Sequence, residues 1–210
     1  MTTVNPLTEK DNFLKTSAGD INILGPLTKD QVEKLTMNNK LNNFRTPNRQ
    51  KEALGLVADS QEGLVYVAAH NNEIVGYVLF HYPSPYSRWS KNPRILELGA
   101  IEVSTDFKKM GIGTKLLKKA FTNPRLEDYI IITIEFYWHW DLRASGLDVW
   151  RYQKMLSKLF GRADFKKRRT NDPDILEHPA NMLMVRFGSR VSDTYIKAFE
   201  DLTNQKSLVE

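Results

Sequence analysis

One segment, Ile95 to Leu117, constrains the fold more strongly than any other part of the sequence. In this segment an apolar strand pattern runs into Lys108-Lys109-Met110-Gly111-Ile112-Gly113, and a basic amphipathic helix pattern follows. A glycine turn that opens a helix is typical of an anion site, because the first-turn amides have no acceptor within the helix and the helix dipole adds partial positive charge. Dinucleotide loops need Gly-x-Gly-x-x-Gly and mononucleotide loops end in Gly-Lys-Ser/Thr, and the segment has neither. The sequence therefore predicts an α/β fold that binds the phosphate of another kind of ligand.

Composition limits the domain count and the chemistry. The 210 residues, 41% of them hydrophobic, predict a flexible arm at residues 1–18 and a single domain at residues 19–210. Cysteine is absent, which excludes disulfides, thiolate-rich zinc sites and a cysteinyl acyl-enzyme, and no set of metal ligands is visible. There is neither a long apolar run nor a basic and then apolar leader, so we expect no membrane partner and a cytoplasmic location.

The charge favours an anionic ligand or an acidic partner surface. The net charge is +5, and the basic residues cluster at Lys108 to Lys119 and at Arg162 to Arg169. Neither cluster has the interleaved aromatic residues of a single-strand binder or a DNA-reading motif. We therefore expect no nucleic-acid partner and interpret the second cluster as a solvated basic face.

The strand from Ile95 to Val103 is predicted to contain a β-bulge. Its apolar positions change parity around Gly99-Ala100, being even at Leu96 and Leu98 and then odd at Ile101 and Val103. One extra residue at this point explains the slip and brings Glu97 and Glu102 to the same, less apolar face.

The partner strand is predicted from Ile130 to Asp141, where residue parity separates an apolar face from a polar one. The polar face carries Thr133, Glu135, Tyr137, His139 and Asp141. Titratable groups in register beside a phosphate loop suit a substrate cleft, although a simple solvent-facing role fits the pattern equally well.

Other periodic patterns predict the flanking elements. The expected strands are Asp20 to Leu24, a hairpin of Leu64 to Ala69 and Ile74 to Phe80, and Asn181 to Phe187. The expected helices begin after a capping box at Thr28 and near Thr46-Pro47, and cover Leu147 to Phe160 and Ser192 to Leu202 with Ser192 as cap. The charged stretch Phe165 to Asp174 is predicted to be a loop.

The glycine hexapeptide resembles the coenzyme A loop of the GNAT superfamily of N-acetyltransferases, usually written Arg/Gln-x-x-Gly-x-Gly/Ala. Lys108 stands where that family prefers Arg or Gln. The resemblance implies a GNAT fold, with a mixed twisted sheet, a bulged central strand, flanking helices and a C-terminal helix. It also implies that acetyl-CoA is the co-substrate, with pantetheine on the backbone of Ile101 and Val103 and the diphosphate on the loop residues Lys108, Lys109, Met110, Gly111, Ile112, Gly113 and Thr114.

Longer segments are similar to the acetoin-utilisation acetyltransferases within that superfamily. They are Phe44-Arg45-Thr46-Pro47-x-Arg49-Gln50, Tyr82-Pro83-x-Pro85, Arg88-Trp89-Ser90, Glu97 to Val103, Tyr137-Trp138-His139-Trp140-Asp141-Leu142 and His178-Pro179-Ala180-Asn181. This resemblance implies acetyl transfer to the catalytic lysine of an AMP-forming acetyl-CoA synthetase, which that modification inactivates.

Direct transfer to an amine needs a group that accepts the amine's proton. Glu102 follows the predicted bulge and is the favoured general base, Glu97 is the second candidate, and Glu135 or His139 could contribute. A solvated or ion-paired carboxylate is the competing interpretation for each glutamate.

Two other function classes remain open. The same loop would serve an acetyltransferase for a small amine, and a non-catalytic protein of this fold could inhibit a partner by occlusion. A protein acceptor is favoured by two aromatic segments, Tyr82 to Trp89 and Tyr137 to Asp141, whose Trp89 and Trp140 are expected to anchor an interface.

Overall fold

The computed structural model describes residues 12–204, and these residues form nine strands and seven helices. The strands are β1 (Phe13–Thr16), β2 (Gly19–Leu24), β3 (Thr36–Met37), β4 (Leu64–His70), β5 (Glu73–His81), β6 (Ile95–Val103), β7 (Ile130–Glu135), β8 (Lys166–Arg168) and β9 (Met182–Phe187). The helices are α1 (Lys29–Glu33), α2 (Pro47–Asp59), α3 (Ile112–Ala120), α4 (Leu142–Ser145), α5 (Val149–Gly161), α6 (Pro173–Leu176) and α7 (Asp193–Thr203).

The strands belong to a mixed sheet, as predicted. Their order is β1-β2-β4-β5-β6-β7-β9-β8, and β3 pairs with β5 outside this path. The pairs β6–β7 and β3–β5 are parallel, whereas β1–β2, β2–β4, β7–β9 and β8–β9 are antiparallel. The expected α/β class is therefore confirmed.

The described chain forms two compact units. The first contains the described residues up to Leu79 together with Ala100–Thr122, and the second contains Phe80–Gly99 and the described residues from Asn123 onward. The prediction of one domain at residues 19–210 stays a prediction.

In the first unit, α1 and α2 bury their apolar residues against β4 and β5. The core consists of Val32, Leu35, Leu41, Leu54, Val65, Val67, Ile74, Tyr77 and Leu79. The predicted capping box is present, because the Thr28 side chain accepts from the Gln31 amide and the Gln31 side chain accepts from the Thr28 amide. The predicted hairpin turns at Asn71 and Asn72, whose φ angles of 47° and 64° suit asparagine better than most residues.

In the second unit, β7 and β9 form the centre of the core. Six residue pairs join them, from Ile130 with Phe187 to Glu135 with Met182. One face packs a cluster made of Trp89, Ile95, Ile130, Ile132, Ile175, Leu183, Val185 and Phe199. Trp89 stacks on Phe199 of α7 at 5.6 Å between ring centroids, which fixes the segment before β6 over the sheet.

The expected arm at residues 1–18 is shorter than predicted, because Phe13–Thr16 forms β1. This strand makes a hairpin with β2, and the Thr16 hydroxyl closes the turn by donating to the Gly19 carbonyl at 2.6 Å. Backbone pairing rather than apolar alternation orders these residues, so the sequence pattern did not reveal them. The remainder of the arm, residues 1–11, lies outside the described residues.

The prediction that the partner strand continues to Asp141 is wrong, since β7 ends at Glu135. Its neighbour β9 begins at Met182, which pairs with Glu135, so no antiparallel partner continues the ladder. Beyond this point the Tyr137 amide donates to Asn181 Oδ1 at 3.0 Å, and residues 137–139 form a 3-10 turn. Of the predicted polar face, the strand keeps Thr133 and Glu135.

Two smaller expectations also differ from the structure. Residues 166–168 of the predicted loop form β8, an exposed edge strand that is held by its ladder with β9 and carries only cations. Ser192 occupies the cap position of α7, but its side chain makes no capping hydrogen bond.

Candidate active site

The predicted phosphate loop leads directly into α3. Gly111 is the N-cap with φ of 81°, a left-handed conformation that costs glycine little. The first hydrogen bond of the helix runs from the Lys115 amide to the Gly111 carbonyl at 3.0 Å, so the amides of Ile112 and Gly113 precede the helical ladder. A Cβ built on Gly111 would have no neighbour within 4 Å, which leaves room for a ligand beside the backbone.

The side chains of this loop add positive charge. Lys109 is exposed and has φ of 65°, and Lys108 is partly buried with its amide donating to the Thr105 carbonyl at 3.4 Å. Met110, Gly113 and Thr114 are partly buried, whereas Ile112 is buried and anchors the helix start. An open backbone turn, a helix N-terminus and two lysines together fit a diphosphate group.

Gly76 on β5 lies where the end of β6 and the start of α3, the elements on either side of the loop, meet β5. The sequence alone did not identify this residue. A Cβ on Gly76 would meet the Glu102 carbonyl oxygen at 3.1 Å and side-chain carbons of Ile112 and Val103 at 3.4 Å. The side-chain-free residue therefore lets α3 and the end of β6 approach β5. Ile101 and Val103, predicted to contact pantetheine, are partly buried on this stretch of β6.

Glu102 has both carboxylate oxygens engaged within the first unit. Its Oε1 accepts from the Asn43 amide at 2.9 Å, and its Oε2 accepts from the Tyr77 hydroxyl at 2.7 Å. Burial raises the pKa of Glu102, while these hydrogen bonds and the charge of Lys108 oppose the increase. Burial and the neighbouring Glu102 raise the pKa of Tyr77. Glu102 thus clamps the segment after Leu41 to β5 and β6.

Glu97 has a different environment in the second unit. It is the last residue of the β6–β7 ladder, where it pairs with Ile132. Among the described residues, none forms a hydrogen bond or ion pair with its partly buried carboxylate. Burial raises the pKa of Glu97, and His81 at the end of β5 opposes the increase. Glu97 is therefore a partly buried carboxylate that is available to accept a proton.

Glu135 also lies at the end of a strand in the second unit. The Thr133 hydroxyl donates to its Oε1 at 2.8 Å. Burial raises the pKa of Glu135, the hydrogen bond from Thr133 opposes this, and repulsion from Glu97 adds to it. The carboxylates of Glu97 and Glu135 therefore influence each other's protonation.

The remaining members of the predicted polar face are distributed over the turn after β7. His139 lies in the 3-10 turn, where partial burial lowers its pKa. Asp141 caps α4 by accepting from the Ala144 amide at 3.1 Å. The structure therefore does not place these two side chains in register with Glu135.

The two tryptophans expected to anchor an interface are buried. Trp89 is 0% exposed and Trp140 is 8% exposed, so neither can carry a docking surface. Other rings are exposed instead, with Trp138 at 46% and Trp150 at 53%. The centroid distances are 5.5 Å for Trp138–Tyr137, 4.0 Å for Tyr137–His178 and 6.5 Å for His178–Trp150, and we name these four residues the ring surface.

Comparison with known proteins identifies the family. The model of the acetyltransferase (GNAT) family matches residues 34–135. The chain is 40% identical over 191 residues to Acetoin utilization protein AcuA of Bacillus licheniformis, covering 90% of this chain and 91% of that protein. The chain belongs to the GNAT acetyltransferase family. GNAT enzymes use acetyl-CoA, so it is an acetyl-CoA-dependent N-acetyltransferase.

Solved structures agree with this assignment. The crystal structure of an acetoin utilization protein from Exiguobacterium sibiricum 255-15 is similar, with a TM-score of 0.89 and 43% identity over 91% of this chain and 92% of that chain. The GNAT domain of S. lividans PAT has a TM-score of 0.52 at 13% identity, covering 83% of this chain and 94% of that chain. The first comparison confirms the predicted GNAT fold, and the second is a likeness of fold alone.

Two further observations concern the described part of the GNAT chain. None of the helices there has the length and apolar character needed to cross a bilayer. No three histidine or acidic side chains in residues 12–204 are grouped so that they could hold a metal ion.

Proposed function

We propose that this GNAT enzyme transfers the acetyl group of acetyl-CoA to the catalytic lysine of an AMP-forming acetyl-CoA synthetase and thereby inactivates the synthetase. Relatives that match nine-tenths of the chain are named for acetoin utilization. The choice of target follows from the resemblance to the acetoin-utilisation acetyltransferases. The observation that favours a protein acceptor over a small amine is the ring surface, in which Trp138 and Trp150 are about half exposed. Tyrosine and tryptophan contribute strongly to protein interfaces, and a small amine needs no such surface.

The co-substrate is assigned to the loop of the first unit. The amides at the start of α3 and the charges of Lys108 and Lys109 would hold its diphosphate, with Met110, Gly111, Ile112, Gly113 and Thr114 completing the turn. The backbone of Ile101 and Val103 would hold the pantetheine arm. Acetyl-CoA supplies the acetyl thioester, and the chain's own residues orient it and move the proton of the acceptor.

Glu97 is our choice as the general base. The acceptor lysine must lose a proton before its nitrogen can form the new amide bond, and a carboxylate with a raised pKa accepts that proton more readily than an ordinary one. Glu97 has such a pKa and no hydrogen-bond partner among the described residues, whereas both oxygens of Glu102 are engaged. We therefore assign Glu102, the base favoured by sequence analysis, to positioning the segment that contains Asn43.

Mass spectrometry of the intact synthetase tests the target. The enzyme and acetyl-CoA should add the mass of one acetyl group to the synthetase and abolish its adenylating activity, while a synthetase with arginine in place of its catalytic lysine should gain no mass. An unchanged mass for the wild-type synthetase, together with rapid acetylation of spermidine, would refute the proposal in favour of a small-amine acetyltransferase. Inhibition of the synthetase with no mass added would instead establish a binding protein that acts by occlusion.

A further inference from the structure

A cleft in the second unit has no role in the chemistry described above. Its volume is about 690 Å³, and it lies between the segments Ser84–Lys91 and Asn171–Ile175. Ile134 and Phe136, at the end of β7, also line it. Pockets that bind small molecules commonly have volumes of about 300–1,000 Å³, so this cleft is large enough for several side chains of a partner.

The cleft lies on the sheet face that carries Glu97. Side chains two residues apart on a strand share a face, so Glu97 lies with Ile95, and Ile134 lies with Ile132. Ile95 and Ile132 belong to one core cluster of the second unit, which places both pairs on the same side of the sheet. A chain segment bound along the cleft therefore occupies the same face as the proposed base.

One carboxylate of the cleft is free to bind a ligand. Arg88 is fully engaged, because it pairs with Asp172 at 3.4 Å and donates to Asn171 Oδ1 at 2.6 Å. Asp174 is exposed, and its carboxylate makes no hydrogen bond or ion pair with any described residue. Lys91, on the opposite segment, is likewise an exposed charge. The lining of the cleft thus includes the apolar side chains of Ile134 and Phe136, the anionic group of Asp174 and the cationic group of Lys91.

The apolar lining of the cleft continues into the ring surface. Phe136 lines the cleft and stacks on Trp138 with 4.6 Å between centroids and an interplanar angle of 13°. Trp138 is in turn part of the ring surface defined above. A ligand that fills both regions must be larger than a free amine, which indicates a polypeptide.

We propose that this cleft binds the lysine-bearing segment of the acceptor protein. A basic side chain of that segment pairs with Asp174, an acidic one pairs with Lys91, and the apolar parts cover Ile134 and Phe136. The proposal rests on the proposed function, since it takes the acceptor to be the synthetase. Asp174 acts in binding and not in proton transfer, so its loss should change KM and leave kcat intact.

The test compares Asp174→Asn with Glu177→Gln in acetylation of the synthetase. Glu177 is an exposed carboxylate three residues further along the chain, and it does not line the cleft. Asp174→Asn should raise the KM for the synthetase about tenfold, the scale of one hydrogen bond to a charged group, with kcat unchanged. Glu177→Gln should leave KM unchanged, and Asp174→Glu should restore most of the affinity. Calorimetric binding of acetyl-CoA to each variant checks folding, and it should match the wild type.

The outcomes separate this inference from the proposed function. Efficient acetylation of the synthetase by Asp174→Asn with a wild-type KM would overturn the assignment of the cleft and leave the target standing. A wild-type enzyme that binds acetyl-CoA but adds nothing to the synthetase would overturn both the target and this partner for the cleft. Equal KM increases in Asp174→Asn and Glu177→Gln would show a general charge effect and also overturn the assignment.

Discussion

At the scale of single residues, the two glutamates of β6 differ in what surrounds them. The sequence predicts both as candidates for the general base and favours Glu102. A strand pattern does not show the contacts that distinguish them, because those of Glu102 come from Asn43 and Tyr77, which are distant along the chain. A strand pattern likewise does not show that the carboxylate of Glu97 has no hydrogen-bond partner among the described residues. Tertiary contacts therefore decide which glutamate is free to accept a proton and which one holds a loop in place.

Because Glu102 holds a loop in place, we predict that its substitution lowers the stability of the fold and leaves the rate of catalysis largely unchanged. Tyr77→Phe and Glu102→Gln each disturb a buried hydrogen bond to a charged group and should lower the free energy of unfolding by about 1–3 kcal/mol. The double variant should lose less than the sum, because the two side chains share one interaction. Denaturant titration measures these values.

Steady-state kinetics supply the control for this prediction. The kcat of Glu102→Gln should fall far less than the roughly 10²-fold expected for a lost general base. Additive stability losses, or a kcat lowered to that extent, would argue against a positioning role for Glu102.

At the scale of secondary structure, the proposed binding of the co-substrate depends on the start of α3. Gly111→Glu places a side chain and a negative charge where the diphosphate is assigned, so acetyl-CoA binding should be lost in a calorimetric titration. Gly146→Glu is a matched control, because Gly146 also has a positive φ, 67°, and open space around its Cβ position. The control should bind acetyl-CoA as the wild type does, and equal binding by both variants would remove the loop from the site.

Elements with strong local signals could be predicted from the sequence. The capping box of α1, the Asn-Asn hairpin and the glycine turn before α3 each depend on neighbouring residues, and the structure has all three. The end of β7 at Glu135 depends on where β9 begins, and β8 depends on pairing alone. A local sequence pattern therefore cannot predict the end of β7 or the presence of β8.

At the scale of the whole molecule, buried carboxylates should make stability depend on pH. Burial raises the pKa of Glu135, so between the ordinary glutamate value of about 4.3 and the raised value the folded state holds a proton that the unfolded state has released. Stability therefore falls as pH rises through this range. Glu135→Gln removes this contribution and keeps an acceptor for the Thr133 hydroxyl.

Thermal unfolding across pH tests this linkage. Glu135→Gln should have a higher Tm than the wild type at pH 7, and the difference should shrink below the ordinary glutamate pKa. A Tm difference that is independent of pH, or a less stable variant at pH 7, would contradict the assigned shift.

Family membership and the environment of Glu97 together support a GNAT acetyltransferase in which this carboxylate accepts the proton of the acceptor lysine. The most direct test is single-turnover transfer to the synthetase at saturating acetyl-CoA, measured across pH for the wild type and Glu97→Gln. The wild-type rate should fall as pH falls through the raised pKa of Glu97, because the protonated carboxyl cannot act as a base. Glu97→Gln should be slower by about 10²-fold or more and should lack this acid limb. A Glu97→Gln enzyme with the wild-type rate and the same pH profile would show that Glu97 is not the base.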